Sequence, residues 1–146
     1  AEHRVQMLRL ATARASAFDV VTVEVERSGP SYTADTLEWF HHQQAAAELF
    51  FILGQDALAD LPSWQRPERI LELASLAVAP RPPGRRSVER LAAALPGPAN
   101  RVISLSMPRV EISASEIRKR VKAGQQISYL VPEAVEAYIR EKGLYR

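Results

Sequence analysis

The sequence predicts an α/β protein built on a mainly parallel, doubly wound sheet. Short apolar or β-branched segments alternate with helical patterns along the 146 residues, and strands that alternate with helices imply right-handed crossovers between parallel strands. One segment, Leu49 to Leu53, is an unbroken apolar run, as is typical of a strand buried on both faces of a parallel sheet. No linker is long enough to separate two domains. We therefore expect a single domain over residues 1–146.

The individual elements follow from hydrophobic periodicity and from the residues that end each pattern. Pro67 stands where a first-turn proline is tolerated, and Gly143 suits the end of the last helix. Strands are predicted over about Val20–Val25, Leu49–Leu53, Leu76–Ala79 and Val102–Leu105. Helices are predicted over about Glu2–Ser16, Ala34–Gln44, Pro67–Leu73, Val88–Leu95, Ser115–Lys122 and Pro132–Lys142, the last two closing the chain.

Composition excludes several classes of protein. The chain has no cysteine, which excludes disulfides and thiolate metal sites, and nothing points to secretion, so a cytoplasmic location is expected. No apolar run approaches the ~20 residues that a membrane helix needs. The net charge of +2 suits an anionic ligand without arguing for DNA or RNA. His3, His41 and His42 show neither metal-ligand spacing nor a catalytic partner, and we interpret them as surface residues.

Ligands of a doubly wound sheet bind at the carboxyl ends of its strands, so the loops after the predicted strands are the places to look for function. Ser113 and Glu116 have the spacing of a capping box, which predicts a helix start. Arg118 and its basic neighbours Lys119 and Arg120 oppose the dipole there, and a bound polyanion would remove the conflict. The segment is a candidate phosphate site; the alternatives are a plain helix cap and a solvated basic face.

Three further segments each allow a functional and a structural interpretation. Thr33 is a candidate N-cap, and the amides after it could bind a small anion such as a carboxylate, or the residue could be a cap and nothing more. Gly54 allows close backbone approach and Asp56 could accept from ribose hydroxyls, although a simple turn explains both. Trp64 could stack on an aromatic ring or fill the core. A basic loop from Arg81 to Arg86 could contact phosphate or be solvated.

Five motifs in their order along the chain resemble bacterial nicotinate-nucleotide adenylyltransferases. Any one of them is a weak signal, but five in the correct order are a strong one, and the resemblance spans nearly the whole chain. The motifs are GPSYTADTL (Gly29 to Leu37), FFILGQDAL (Phe50 to Leu58), LPSW (Leu61 to Trp64), VEISASEIRKR (Val110 to Arg120), and YLVPEAVEAYI (Tyr129 to Ile139) with GLY (Gly143 to Tyr145).

The resemblance implies a Rossmann-like nucleotidyltransferase fold with C-terminal helices, and a reaction that makes nicotinate adenine dinucleotide and pyrophosphate from ATP and nicotinate mononucleotide in NAD biosynthesis. It implies Mg²⁺ with ATP, no protein-ligated metal and no nucleic-acid or membrane partner, and it leaves homo-oligomerisation open. By resemblance, Thr33, the Ala34 amide and Trp64 bind the pyridine nucleotide. Residues implied in ATP binding are Gly54, Asp56, Ile112, Ser113, Ser115 and Arg118, with Arg118 also stabilising phosphate charge during catalysis.

The sequence departs from the family pattern at two places. The family motif I-S-S-T-x-I-R corresponds to Ile112 to Arg118 in this chain. Ala114 stands in place of the second serine, so one hydroxyl is lost, and Ser115 stands in place of the threonine, so that hydroxyl is kept. The family also begins with a strand, a glycine-rich turn and an H-x-G-H motif, which none of the three histidines here fits. We therefore expect the native polypeptide to carry that strand and the main catalytic histidines ahead of Ala1, rather than to be a catalytically dead relative.

The expected reaction is direct attack of the mononucleotide phosphate on the α-phosphorus of ATP, because no residue has the setting of a covalent nucleophile. Alignment and charge stabilisation would carry catalysis. One alternative is a phosphopantetheine adenylyltransferase-like enzyme of the same fold, against which Thr33 and Trp64 argue because they suit a flat acidic ring. The other is a non-catalytic nucleotide- or RNA-binding module.

Overall fold

A computed structural model describes residues 1–79, 101–108 and 110–146. The predicted helix Val88–Leu95 and the basic loop Arg81 to Arg86 lie outside these residues. The described strands are β1 (Leu49–Gly54), β2 (Ala74–Ala79) and β3 (Val102–Ser104). The described helices are α1 (Glu2–Thr12), α2 (Val23–Glu26), α3 (Thr33–Gln43), α4 (Gln55–Asp60), α5 (Pro67–Leu73), α6 (Ala114–Lys122) and α7 (Glu133–Glu141), with a 3₁₀ turn over Leu61–Ser63.

The three strands form a parallel sheet in the order β1-β2-β3, which confirms the predicted α/β class. Leu49 pairs with Ala74 and Gly54 with Ala79, so β1 and β2 are in register over their full length. Leu76 pairs with Val102 in β3. The carboxyl ends of β1 and β2 therefore lie side by side, and the chain continues from β1 directly into α4 through Gly54.

Residues 27–109 form one compact unit that contains the sheet. Its core joins one face of the sheet to α3, α4 and α5, and Leu58, Leu61, Ile70 and Leu76 are fully buried. Close packing of these aliphatic side chains is the main stabilising contribution, since burying one such side chain is worth about 1.5–3 kcal/mol. Because α3 and α5 both pack into this core, their positions relative to each other are fixed.

The second compact unit consists of residues 1–26 and 110–146. Helices α6 and α7 bury Ile117, Ile127, Val135 and Ile139, with Met7 and Leu10 of α1 and other partly buried side chains packed against this cluster. Gly143 has a φ of 59°, a left-handed conformation that ends α7 as the sequence predicts. The unit presents the start of α6 on a fixed helical scaffold.

Two predictions about strands were wrong. The segment predicted as a strand over Val20–Val25 instead begins a short helix, in which Thr22 accepts the amide of Val25 at 2.8 Å and its hydroxyl donates to Glu26 at 2.6 Å. Val21 and Val25 are exposed, and in the part of the chain that the structure describes these β-branched residues pack against no neighbouring strand. β propensity depends on such packing, and without it the local capping by Thr22 decides the structure.

The apolar run of β1 is buried on only one face, contrary to the prediction. Leu53 is buried, whereas Phe50 and Ile52 on the opposite face are 52% and 69% exposed. Hydrophobicity alone cannot tell which faces of a strand are covered, because that depends on what packs above them. No helix among the described residues is long and apolar enough to cross a membrane.

Candidate active site

Thr33 and Trp64 line the same pocket. Thr33 is the first residue of α3, and Trp64 follows the 3₁₀ turn directly. The pocket between them has a volume of about 350 Å³ and lies within the unit formed by residues 27–109. Its walls are formed by Ser31, Tyr32, Thr33, Ser63, Trp64, Gln65 and Ile70. Two residues that the sequence predicts to share a ligand are thus brought together from positions 31 residues apart.

The helix start beside this pocket differs from the prediction by one residue. Tyr32, not Thr33, is the N-cap, because its carbonyl accepts the amides of Asp35 at 3.1 Å and Thr36 at 3.2 Å. The amides of Thr33 and Ala34 precede these bonds, and first-turn amides have no partner inside their own helix. Ala34 is fully buried in the core and Thr33 lines the pocket. Direct ligand contact by Ala34 stays a prediction.

Trp64 serves the core and the pocket at once. Its ring lies edge-on to Phe51, with the ring centroids 6.1 Å apart, and its partly buried side chain packs against the main core. The remaining surface of the ring forms one wall of the pocket. A place against the core therefore does not exclude contact with a ligand, because the side chain is only partly buried; stacking on an aromatic ring stays a prediction.

The start of α6 brings together the hydroxyl and cationic side chains predicted to hold phosphate. Ser113 is the N-cap, and its Oγ accepts the amide of Glu116 at 3.1 Å, which confirms the predicted helix start. Arg118 Nη2 donates to Ser115 Oγ at 3.2 Å, and both side chains are exposed. Among the described residues no carboxylate pairs with Arg118. Ile112, just before the cap, is 46% exposed.

Gly54 and Asp56 lie at the carboxyl end of β1. Gly54 is the N-cap of α4, a short helix where the sequence allowed either a ligand contact or a simple turn, and Asp56 is exposed in the first turn of that helix. The glycine has a φ of −80°, which any residue can adopt, and no described atom lies within 4 Å of where a Cβ would stand. The fold itself therefore does not require glycine here, which fits a surface kept open for a ligand.

Replacement of Gly54 by alanine tests this interpretation. We expect Gly54→Ala to fold as well as the natural protein, or to gain up to about 1 kcal/mol, because alanine reduces the entropy of the unfolded chain. The Michaelis constant for the nucleotide bound at this strand end should rise. Thermal melts and steady-state kinetics of the same variant decide, with Gly143→Ala as the control that should lose stability because of its positive φ. A normal Michaelis constant would show that no ligand approaches Gly54.

A cluster of ion pairs beside the pocket was missed from the sequence. Glu38 of α3 accepts hydrogen bonds from Arg69 at 2.9 Å and from Arg66 at 3.1 Å. These bonds lower the pKa of Glu38, and the bond from Arg69 has the larger effect. Arg66 also pairs with Asp35. The available signal was a matched spacing: two acidic residues three apart on α3 face two arginines three apart at the start of α5, where Arg66 is the N-cap and Arg69 lies in the first turn.

The remaining candidates are the three histidines and any side chains that could hold a metal ion. His3, His41 and His42 are exposed, as predicted, and His3 Nδ1 lies 2.8 Å from the Tyr138 hydroxyl. The described residues group no three His, Asp or Glu side chains that could hold a metal ion. The pocket of Thr33 and Trp64 and the strand end at Gly54 belong to residues 27–109, and the start of α6 belongs to the other compact unit.

Comparison with known proteins identifies the family. The cytidylyltransferase-like family model matches residues 1–120. A probable nicotinate-nucleotide adenylyltransferase of Roseiflexus sp. (strain RS-1) is 46% identical over 145 residues, covering 99% of this chain and 72% of the relative. The chain belongs to the nicotinate-nucleotide adenylyltransferase family. A second relative of the same printed name, from Thermomicrobium roseum, is 44% identical and covers 99% of the chain and 67% of its own length.

Solved structures confirm the fold of this nicotinate-nucleotide adenylyltransferase family member. Nicotinic acid mononucleotide adenylyltransferase of Plasmodium falciparum, complexed with APC, superposes with a TM-score of 0.70 at 20% identity, covering 99% of this chain and 75% of that one. The same enzyme complexed with NaAD gives a TM-score of 0.71 at 20% identity, covering 99% and 74%. The predicted Rossmann-like nucleotidyltransferase class is thereby confirmed.

Proposed function

We propose that this protein transfers the adenylyl group of ATP to nicotinate mononucleotide, which yields nicotinate adenine dinucleotide and pyrophosphate for NAD biosynthesis. Family membership supports the reaction class, and the observation that carries the substrate is the pocket shared by Thr33 and Trp64. A flat ring with one carboxylate is the ligand that a partly exposed indole beside a helix start would recognise.

The chemistry needs no covalent intermediate. A phosphate oxygen of the mononucleotide forms a bond to the α-phosphorus of ATP, and the bond from that phosphorus to the bridging oxygen breaks, so that pyrophosphate leaves with the electron pair. The protein contributes alignment and stabilisation of the charge on the phosphates. We assign the latter in part to Arg118, with Ser113 and Ser115 at the same helix start and Ile112 just before it.

Mg²⁺ is the metal we propose, bound to the phosphates of ATP, where it would neutralise negative charge. We propose that this ion arrives with its nucleotide and takes no ligand from the protein. At the other end of ATP, Gly54 and Asp56 are proposed to contact the adenosine. A cytoplasmic location and a single catalytic domain over residues 1–146 remain predictions.

The pocket predicts a preference for the acid over the amide. A carboxylate can accept two N–H bonds at a helix start, where the dipole also favours negative charge, whereas a carboxamide turns an NH₂ group toward donors. We expect nicotinate mononucleotide to be preferred over nicotinamide mononucleotide at least about tenfold, equivalent to about 1.4 kcal/mol. The ratio of the two kcat/KM values at equal ATP and Mg²⁺ measures this. A ratio near one, or one that favours the amide, would show that this helix start does not read the carboxylate.

A substrate panel separates the proposal from its alternatives. Pyrophosphate release from ATP is measured with the full-length natural protein and either nicotinate mononucleotide or phosphopantetheine as acceptor. Release with the mononucleotide alone supports the proposal. Release with phosphopantetheine alone identifies the other adenylyltransferase, and tight RNA binding with no release in either assay identifies the non-catalytic module.

A further inference from the structure

Asp35 stands where its charge would work against the proposed substrate. It lies in the first turn of α3, two residues after Thr33, and its side chain is 32% exposed. Asp35 is not among the residues that line the pocket, so it acts on a ligand there through its charge, which opposes a second carboxylate that arrives at the same helix start. An unengaged Asp35 would therefore oppose the acid more than the neutral amide.

Two arginines engage Asp35 from both sides. Arg66 Nη2 donates to Asp35 Oδ1, and Arg27 Nη1 lies 3.6 Å from Asp35 Oδ2. Both carboxylate oxygens thus face a guanidinium group. Arg27 Nη1 is buried and has no hydrogen-bond partner, so its contact with Asp35 is one of charge and not of hydrogen bonding.

Arg66 is itself held in place for this contact. Its backbone has a φ of 52° and a ψ of 58°, a left-handed conformation that is uncommon for a residue other than glycine. Glu38 binds Arg66 Nη1 at 3.1 Å and Nη2 at 3.3 Å, and Arg69 binds the same Glu38 carboxylate. Arg66 comes two residues after Trp64. Its ion pairs with Asp35 and Glu38 therefore also hold the loop that contains Trp64 against α3.

We propose that Arg66 determines specificity for the pyridine acid. By pairing with Asp35, it offsets the repulsion that the Asp35 charge would exert on an incoming carboxylate. The inference rests on the proposed function. It assigns the choice between acid and amide to a residue outside the pocket. Arg66 acts through Asp35 and not by touching the pyridine ring.

The test is the acid-to-amide ratio of kcat/KM in matched variants. Arg66→Gln removes the charge that faces Asp35. Arg69→Gln is the control, because it removes an equal charge from the same cluster without touching Asp35. We expect Arg66→Gln to lower the ratio about tenfold, chiefly through a higher Michaelis constant for nicotinate mononucleotide, and Arg69→Gln to leave the ratio unchanged. The Michaelis constant for ATP should stay constant in both.

A second substitution tests the cause. Adding Asp35→Asn to Arg66→Gln should bring the Michaelis constant for the acid back toward its natural value, because the repelling charge is gone. If Arg66→Gln does not fold, as judged by circular dichroism, Arg27→Gln takes its place, with a smaller fall in the ratio expected. An unchanged ratio in a folded variant, or an equal fall in Arg69→Gln, would overturn the inference while the proposed function stands. No turnover of nicotinate mononucleotide by the natural protein would overturn both.

Discussion

Replacement of Trp64 by alanine is expected to raise the Michaelis constant for the pyridine nucleotide strongly while that for ATP hardly changes. Loss of a stacking platform costs about 1–3 kcal/mol, or roughly 5- to 150-fold in affinity. The same variant should melt at a lower temperature, because Trp64 packs against Phe51 and the core. The stability loss should stay below the ~3–5 kcal/mol of a fully buried tryptophan, since part of the ring is exposed.

Two milder variants separate stacking from packing. Trp64→Phe and Trp64→Leu remove similar volume from the core, but only phenylalanine keeps an aromatic face toward the pocket. We expect similar melting temperatures and a clearly higher Michaelis constant for the mononucleotide in Trp64→Leu. Equal Michaelis constants in the two variants would mean that Trp64 supports the fold without stacking on the substrate.

Replacement of Arg118 by alanine is expected to weaken turnover of ATP by about 1.5–3 kcal/mol, the value of a hydrogen bond to a charged group. Stability should change little, because among the described residues the exposed side chain donates only to Ser115 Oγ, and a cation early in a helix gains nothing from the dipole. Kinetics at varied ATP concentration and thermal melts of the same protein measure the two effects.

Lys119→Ala is the matched control for Arg118. It removes one positive charge from the neighbouring exposed position of α6, so any general effect of net charge on nucleotide binding appears in both variants. A specific role for Arg118 requires a loss well beyond that of Lys119→Ala. Unchanged kinetics in Arg118→Ala together with a lower melting temperature would favour a purely structural role.

Local signals predicted much of the structure well. The helix start at Ser113 and the helix end at Gly143 follow from capping chemistry that acts within one turn, and both were found as expected. The apolar run at Leu49 and the proline at Pro67 likewise mark real elements. Such features depend on residues close in sequence, which a single chain displays directly.

Features set by tertiary neighbours could not be predicted in the same way. The strand expected at Val20 failed because β-branched residues need a partner strand, and the exposed side of β1 depends on what packs above Phe50. The joining of Thr33 and Trp64 in one pocket was anticipated only through the family resemblance. The contact between Asp35 and Arg66 was missed, because the matched spacing of acidic residues and arginines does not by itself show that the two segments lie against each other.

The most direct test of the proposed reaction measures which product receives each phosphate of ATP. The full-length natural protein is incubated with nicotinate mononucleotide, Mg²⁺ and ATP labelled at either the α- or the γ-phosphate, and the products are separated. We predict that α-label appears in nicotinate adenine dinucleotide and that γ-label appears only in pyrophosphate. Absence of labelled dinucleotide, or γ-label transferred to the acceptor, would contradict adenylyl transfer.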